Sequence, residues 1–235
     1  MEPVLIVTDL VQKVGKKTVL NGVSFTVHAG ERFGLFGVKG AGKTTLLHIL
    51  AGVDRFTSGS VETLGYDVRK SGAFKKHTGL VTQKRSLFED LNTYENLDFI
   101  AALKCVDKDN IFSVIDRLEL REYLNKPVKS LEAGVYQRLS VACALLNDPD
   151  LLIADELING IDIYSRHIIL KELERFLSNG GTCVRGYSDI RFCEQMCRVG
   201  WLEGGKITLY TPVEAIEQWD RQIQALSCQN GTDDD

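Results

Sequence analysis

Gly37-Val38-Lys39-Gly40-Ala41-Gly42-Lys43-Thr44-Thr45 decides how the rest of this chain is read. The stretch fits G-x-x-x-x-G-K-[ST], the pattern of a loop that wraps a phosphate group. Arg32-Phe33-Gly34-Leu35-Phe36 before it reads as an apolar strand, and Leu46-Leu47-His48-Ile49-Leu50-Ala51 after it as a helix. The pattern works only in that strand–loop–helix setting. Its glycines let successive backbone N–H groups turn inward, and the helix points its positive dipole end at the same anion. Gly37, Gly40, Ala41, Gly42, Lys43, Thr44 and Thr45 are therefore the candidate phosphate-binding residues. Lys43 would reach the β- and γ-phosphates of a nucleotide, and the Thr44 hydroxyl would complete a Mg²⁺ shell.

Composition leaves room for this reading. The chain has 235 residues, 44% hydrophobic and 26% charged, ordinary for a globular domain. A net charge of -4 gives no basic footprint, so no nucleic-acid partner is expected. Met1-Glu2-Pro3 is followed by a short apolar run and not by a charged n-region and a long apolar stretch, so no signal peptide is expected. No apolar run approaches the ~18–20 residues of a membrane span. The expected location is cytoplasmic, peripheral on a membrane if a membrane is served at all. Cys105, Cys143, Cys183, Cys193, Cys197 and Cys228 form no Cys-x-x-Cys pair and are read as reduced thiols. Cys193 and Cys197 are expected four apart on one helix.

Working outward, residues 4–9 and 18–27 alternate apolar with polar and read as antiparallel strands about Val14-Gly15-Lys16-Lys17. Short strands are expected at Val61–Leu64 and Thr78–Thr82. From about Thr93 to Leu146 the pattern turns helical. One helix starts with Thr93 as cap and presents Leu97, Ile100, Ala101 and Leu103 on one face. A second spans Asp109–Leu118. Pro127 and Gly134 bracket a loop, and Val135–Leu146 is a third helix. Ile163–Leu177 is another helix, Thr182-Cys183-Val184 a buried strand, and Val199–Leu202 with Lys206–Tyr210 a hairpin. Thr211-Pro212 starts a last helix. Buried strands alternating with helices indicate an α/β fold with a parallel sheet, an N-terminal antiparallel subdomain and a helical insertion. One domain over residues 1–228, with its insertion at about 93–146, is expected, followed by a disordered acidic tail at 229–235.

Leu151-Leu152-Ile153-Ala154 is a continuous apolar run closed by Asp155-Glu156. Such a run suits a strand buried on both faces. A carboxylate at its end, about 110 residues after the phosphate loop, forms a Walker B pattern. Asp155 would hold Mg²⁺, and Glu156 would orient and deprotonate an attacking water. The pair could instead cap the next helix.

Between these motifs stand Gly79-Leu80-Val81-Thr82-Gln83, then Leu87-Phe88-Glu89-Asp90-Leu91-Asn92-Thr93-Tyr94-Glu95-Asn96-Leu97. Leu131-Glu132-Ala133-Gly134-Val135-Tyr136-Gln137-Arg138-Leu139-Ser140 and Asn147-Asp148-Pro149-Asp150 follow. In this order, from about Leu5 to Tyr210, the chain resembles the nucleotide-binding subunits of ABC transporters, of the bacterial drug- and antibiotic-exporter type. The resemblance implies an ATPase with ATP and Mg²⁺ as cofactors. It implies two partners, a polytopic membrane permease and a second nucleotide-binding domain closing head to tail around two ATP molecules. Gln83 matches a glutamine that touches Mg²⁺, and residues from about Lys84 to Asn96 match the surface facing the permease. Asp162 matches an aspartate of the loop that crosses the dimer interface, and it also suits the N-cap of the next helix.

The departures carry their own expectations. Where the family signature has Leu-Ser-Gly-Gly-Gln, this chain has Leu131-Glu132-Ala133-Gly134-Val135. A second unit charge ~4 Å from a phosphate costs roughly 4 kcal/mol at an effective dielectric of 20. A hydroxyl hydrogen bond to a charged group contributes only ~1.5–3 kcal/mol. Ser188 stands where the family has a switch histidine, and Val14 where it has an aromatic that stacks on adenine. Leu157 replaces a proline after Glu156. Two readings result: an ATP-hydrolysing motor subunit of an exporter, on Lys43, Thr44, Gln83, Asp155 and Glu156, or a hydrolysis-poor structural or regulatory partner, on Glu132, Ala133 and Ser188. A two-fold homodimer would place every departure in both sites, so heteromeric pairing is expected. A phosphate-loop kinase or GTPase is disfavoured by the Asp-Glu pair and the absence of Asn-Lys-x-Asp.

Overall fold

The computed structural model describes residues 2–230, of which 225–230 by backbone alone. It opens with β1 (Pro3–Val14) and β2 (Lys17–His28), paired antiparallel with Val14 opposite Lys17. The two-residue turn between them has Gly15 at φ 60°, a backbone that glycine enters without a Cβ clash. Then come β3 (Arg32–Phe36), α1 (Lys43–Leu50), β4 (Ser58–Thr63), β5 (Tyr66–Asp67) and β6 (Thr78–Val81). Three helices follow: α2 (Thr93–Lys104), α3 (Lys108–Arg117) and α4 (Ala133–Leu145). The chain returns through β7 (Leu151–Asp155), α5 (Ile163–Ser178), β8 (Thr182–Tyr187), β9 (Arg198–Glu203), β10 (Lys206–Tyr210) and α6 (Pro212–Asn230). The expected tail begins at Gln229; α6 reaches Asn230, and residues 231–235 lie outside the described residues.

Two sheets result. The smaller has the order β2-β1-β4-β5 and is antiparallel. The larger has the order β10-β9-β3-β8-β7-β6. Its strands run parallel except for β10, which folds back on β9 as the expected hairpin. The helices α2–α4 form the connection from β6 to β7, neighbours in the sheet.

Every residue of β7 and β8 is buried, because helices or the second sheet cover both faces. Side chains alternate across a strand, and β7 shows the result. Leu151 and Ile153 join a core with Leu46, Leu47, Ile49 and Leu50 of α1 and with Leu5, Val7 and Val27 of the small sheet. Leu152 and Ala154 face the opposite core, built with Val135, Leu139 and Ala142 of α4 and Ile169 and Leu173 of α5. So α1 is sandwiched between the two sheets. Each of its fully buried Leu and Ile side chains contributes roughly 1.5–3 kcal/mol by leaving water.

Several local expectations are corrected. The cap of α2 is Asn92, one residue before Thr93: its side chain accepts from Glu95 N at 2.8 Å, and the Glu95 carboxylate accepts from Asn92 N. Leu103 is 63% exposed. It lies six residues from Leu97, which at 3.6 residues per turn is the wrong side of the helix. Gly134 is inside α4, whose first turn starts earlier than the apolar run suggested. Cys193 sits in a 3-10 turn over Ile190–Gln195, and Cys197 lies beyond it, so no helix carries both. Cys105, Cys143, Cys183, Cys193 and Cys197 are free, whereas Cys228 falls where only backbone is described. Among the described residues, no helix is long and apolar enough to cross a membrane.

Candidate functional site

Strands β3, β8 and β7 are neighbours and end at one edge of the large sheet. Phe36 pairs with Tyr187 and Gly186 with Asp155, so the loops that follow leave the sheet side by side. This carboxyl edge of a parallel sheet is where open α/β folds bind ligands. Three segments meet there: the phosphate loop after β3, Asp155-Glu156 at the end of β7, and Ser188 after β8.

The phosphate loop enters α1 through Gly42, whose φ of 109° is open to glycine alone. Lys43 is nearly buried; its Nζ donates to Gly37 O at 2.6 Å and to Ser188 Oγ at 2.9 Å. It lies 3.8 Å from Glu156 Oε1. Burial holds the Lys43 ammonium below the ordinary lysine range, partly offset by the charges of Glu156 and Asp155.

Thr44 Oγ1 donates to Asp155 Oδ2 at 2.5 Å. Asp155 is 1% exposed, and its other oxygen, Oδ1, is buried with no hydrogen-bond partner among the described residues. A buried carboxylate oxygen left this way is costly unless a cation or donor meets it. A hydroxyl and a carboxylate side by side are the hard oxygen ligands that Mg²⁺ takes, so the residues fit that ion. The space for Asp155 is kept by Gly186: a Cβ there would stand 2.9 Å from Asp155 Oδ1 and 2.8 Å from Leu47 Cδ1.

Glu156 adopts a left-handed backbone, φ 50°, held by its N–H bond to Gly186 O at 3.0 Å. Its carboxylate accepts a hydrogen bond from the Ser188 hydroxyl. Gly40, Gly42, Lys43, Thr44, Thr45, Gln83, Asp155, Glu156 and Ser188 all line one open cavity of about 580 Å³. Gly37 and Ala41 do not line it: Gly37 supports Lys43 from behind, and Ala41 packs on the apolar core. Val14, Lys17 and Val19 of the β1–β2 hairpin line the same cavity, as does Asn159. Sequence reasoning singled out Val14 but missed Lys17 and Asn159. Their approach depends on how the small sheet and the loop after β7 dock, for which no local pattern exists.

Glu132 lies elsewhere, exposed at the N-cap of α4, with no side-chain bond to the helix N–H groups. Asp162 caps α5 by accepting from Ser165 N at 2.8 Å, and that bond lowers the pKa of its carboxyl. A side chain at Gly134 would collide with the Asp162 carboxylate, so the first turn of α4 and the N-cap of α5 touch. Leu157 is buried in the core shared by α4 and α5. A network the sequence did not announce joins the segment after Gln83 to α4. Tyr136 Oη accepts from Ser86 N at 2.7 Å and Leu87 N at 3.2 Å. The Arg85 guanidinium lies over the Tyr136 ring and donates to Leu131 O at 3.0 Å.

Residues 20–159 match the family described as ABC transporter. The chain is 31% identical over 223 residues to the Nod factor export ATP-binding protein I of Ralstonia nicotianae, covering 91% of this chain and 69% of that one. It is 31% identical over 217 residues to the lantibiotic transport ATP-binding protein SrtF of Streptococcus pyogenes, covering 90% and 92%. The fold matches a dimeric ATP-binding cassette solved in a post-hydrolysis state with ADP and Pi, at TM-score 0.81 and 22% identity, over 88% of this chain and 98% of that one. The chain belongs to the ABC transporter family, as one of its ATP-hydrolysing, nucleotide-binding subunits.

Proposed function

We propose that this chain powers an ABC exporter, binding Mg·ATP and hydrolysing it at the carboxyl edge of the large sheet. The observation that carries this is the convergence of Lys43, Thr44, Gln83, Asp155 and Glu156 on one cavity. The phosphate loop grips the β- and γ-phosphates through backbone N–H groups and Lys43. Thr44 and Asp155, with Gln83, hold Mg²⁺, which when bound neutralises charge on the phosphate oxygens. Glu156 orients the attacking water and takes its proton. The name of one relative, a Nod factor export ATP-binding protein, supports export as the direction of transport. Residues 1–228 act as one nucleotide-binding domain with its helical insertion at about 93–146, on the cytoplasmic face of a membrane against a permease. The test is Mg²⁺-dependent phosphate release by the purified chain, alone and with its permease. Glu156→Gln is expected to lower turnover by ~10²–10⁴ while ATP still binds. Wild-type turnover in that variant would remove Glu156 from the role of base.

A heteromeric pairing is favoured by Glu132. Its carboxylate is exposed at the N-terminus of α4 and has no bond within its own helix cap, so it is free to face a nucleotide held by the partner. In a homodimer both γ-phosphates would meet this charge; in a heterodimer only one would. A purified homodimer that hydrolyses ATP at an ordinary transporter rate would sink this pairing.

A further inference from the structure

The larger sheet sets β8 between β3 and β7. One flanking strand leads to Lys43 and the other to Glu156, so a residue just past the end of β8 stands between the two charges. Ser188 is that residue. Its hydroxyl accepts from Lys43 Nζ at 2.9 Å and donates to the Glu156 carboxylate. A hydroxyl carries one donor and two acceptor positions, so it satisfies both neighbours at once. The two charged ends are themselves 3.8 Å apart, and both side chains are nearly buried. A hydrogen bond to a charged group in such a place is short and orienting.

We infer that Ser188 is a positioning residue for hydrolysis: its hydroxyl fixes the Glu156 carboxylate in register with Lys43. On the sequence, Ser188 counted as a loss of the switch histidine. The geometry gives it a task of its own, carried out through the base and not on the phosphate. The backbone supports the assignment. Glu156 holds a left-handed φ of 50°, tied by its N–H to Gly186 O, so its main chain is set by β8. Its side chain is then held by the next residues of that same strand end. Base and hydroxyl therefore move together with β8.

The inference rests on the reading of Glu156 as base, and the experiment separates the two. Ser188→Ala, Ser188→Thr, Glu156→Gln and the double variant Ser188→Ala/Glu156→Gln are assayed for phosphate release in the full chain with its permease. In parallel, the side-chain carboxylate carbon of Glu156 is followed by NMR in ¹³C-glutamate-labelled protein, assigned by its disappearance in Glu156→Gln. Loss of one hydrogen bond to a charged group should lower kcat by ~10-fold with KM within about twofold. Threonine, which keeps the hydroxyl, should restore kcat to within about threefold. The Glu156 resonance should shift in the alanine variant and return in the threonine variant, and the double variant should be no slower than Glu156→Gln alone. Unchanged kcat in Ser188→Ala, an unshifted resonance, or losses that multiply in the double variant would each overturn the role of Ser188. Full activity in Glu156→Gln would overturn the base instead, and the resonance would still decide whether Ser188 holds Glu156.

Discussion

Thr44 Oγ1 and Asp155 Oδ2 are joined by a 2.5 Å hydrogen bond across 111 residues of chain. That bond ties the first turn of α1 to the end of β7, and so joins the phosphate loop to the candidate metal ligand. Thr44→Val keeps the shape and removes the donor, leaving a buried carboxylate unpaired. The expected cost is about 1–3 kcal/mol of stability, read as a lower midpoint in urea unfolding. Binding of nucleotide with Mg²⁺ should weaken more than binding in EDTA; equal weakening would argue that Thr44 serves only the fold.

Gly186→Ala tests the space beside Asp155. A methyl group there meets Asp155 Oδ1 at 2.9 Å and Leu47 Cδ1 at 2.8 Å. Overpacking of this kind costs about 1–3 kcal/mol. Calorimetry should show a lower Tm, with a raised Mg²⁺ requirement for ATP binding. A wild-type Tm would mean that the strand yields at no cost.

Tyr136→Phe removes the acceptor that Ser86 N and Leu87 N share. The ring and its contact with Arg85 remain. The two amides should exchange hydrogen faster, and stability should fall by about 1–2 kcal/mol. Unchanged exchange at both amides would show that the phenol does not hold this segment.

Glu132→Ser replaces the exposed carboxylate at the N-cap of α4 with a hydroxyl, a residue type that caps helices well. If Glu132 faces a phosphate across a dimer, removal of roughly 4 kcal/mol of repulsion at dielectric 20 should raise turnover at least ~10-fold. An unchanged rate in the full complex would place the carboxylate away from the nucleotide.

Lys104 offers a pH test outside the site. Its Nζ donates to Asn147 Oδ1 at 2.7 Å, and burial lowers its pKa from 10.5 to about 8. The folded state thus loses this proton before the unfolded state does. Between about pH 8 and 10.5 the unfolded chain binds more protons, so stability rises with pH in that window, and below pH 8 the full penalty persists. The Tm of wild type relative to Lys104→Met should therefore climb from pH 8 to 10. Parallel Tm curves would contradict the depressed pKa.

The phosphate loop and the β7 carboxylates were legible because each is local. Gly37–Thr45 states its own turn, and Leu151–Glu156 states a buried strand with charge at its end. Other features were legible only in part. The run from Thr93 announced a helix, but the neighbouring Asn92 also fits a cap, and the hydrogen bonds decide between them. Arg85 and Tyr136 carry no pattern that pairs them, since their meeting depends on how α4 packs beside β6.

By itself, then, the sequence determined the family and most strands of the two sheets, β5 (Tyr66–Asp67) excepted, and it singled out Lys43, Thr44, Asp155 and Glu156 as the candidate site residues. These follow from backbone preference and side-chain type within short windows. Strand order was decided only in three dimensions, because parallel pairing joins segments distant in the chain, Phe33 to Val184 and Leu152 to Cys183, through backbone bonds that any side chain permits. That order, β3-β8-β7, sets Ser188 between Lys43 and Glu156 and turns an apparent loss in the sequence into a bridge.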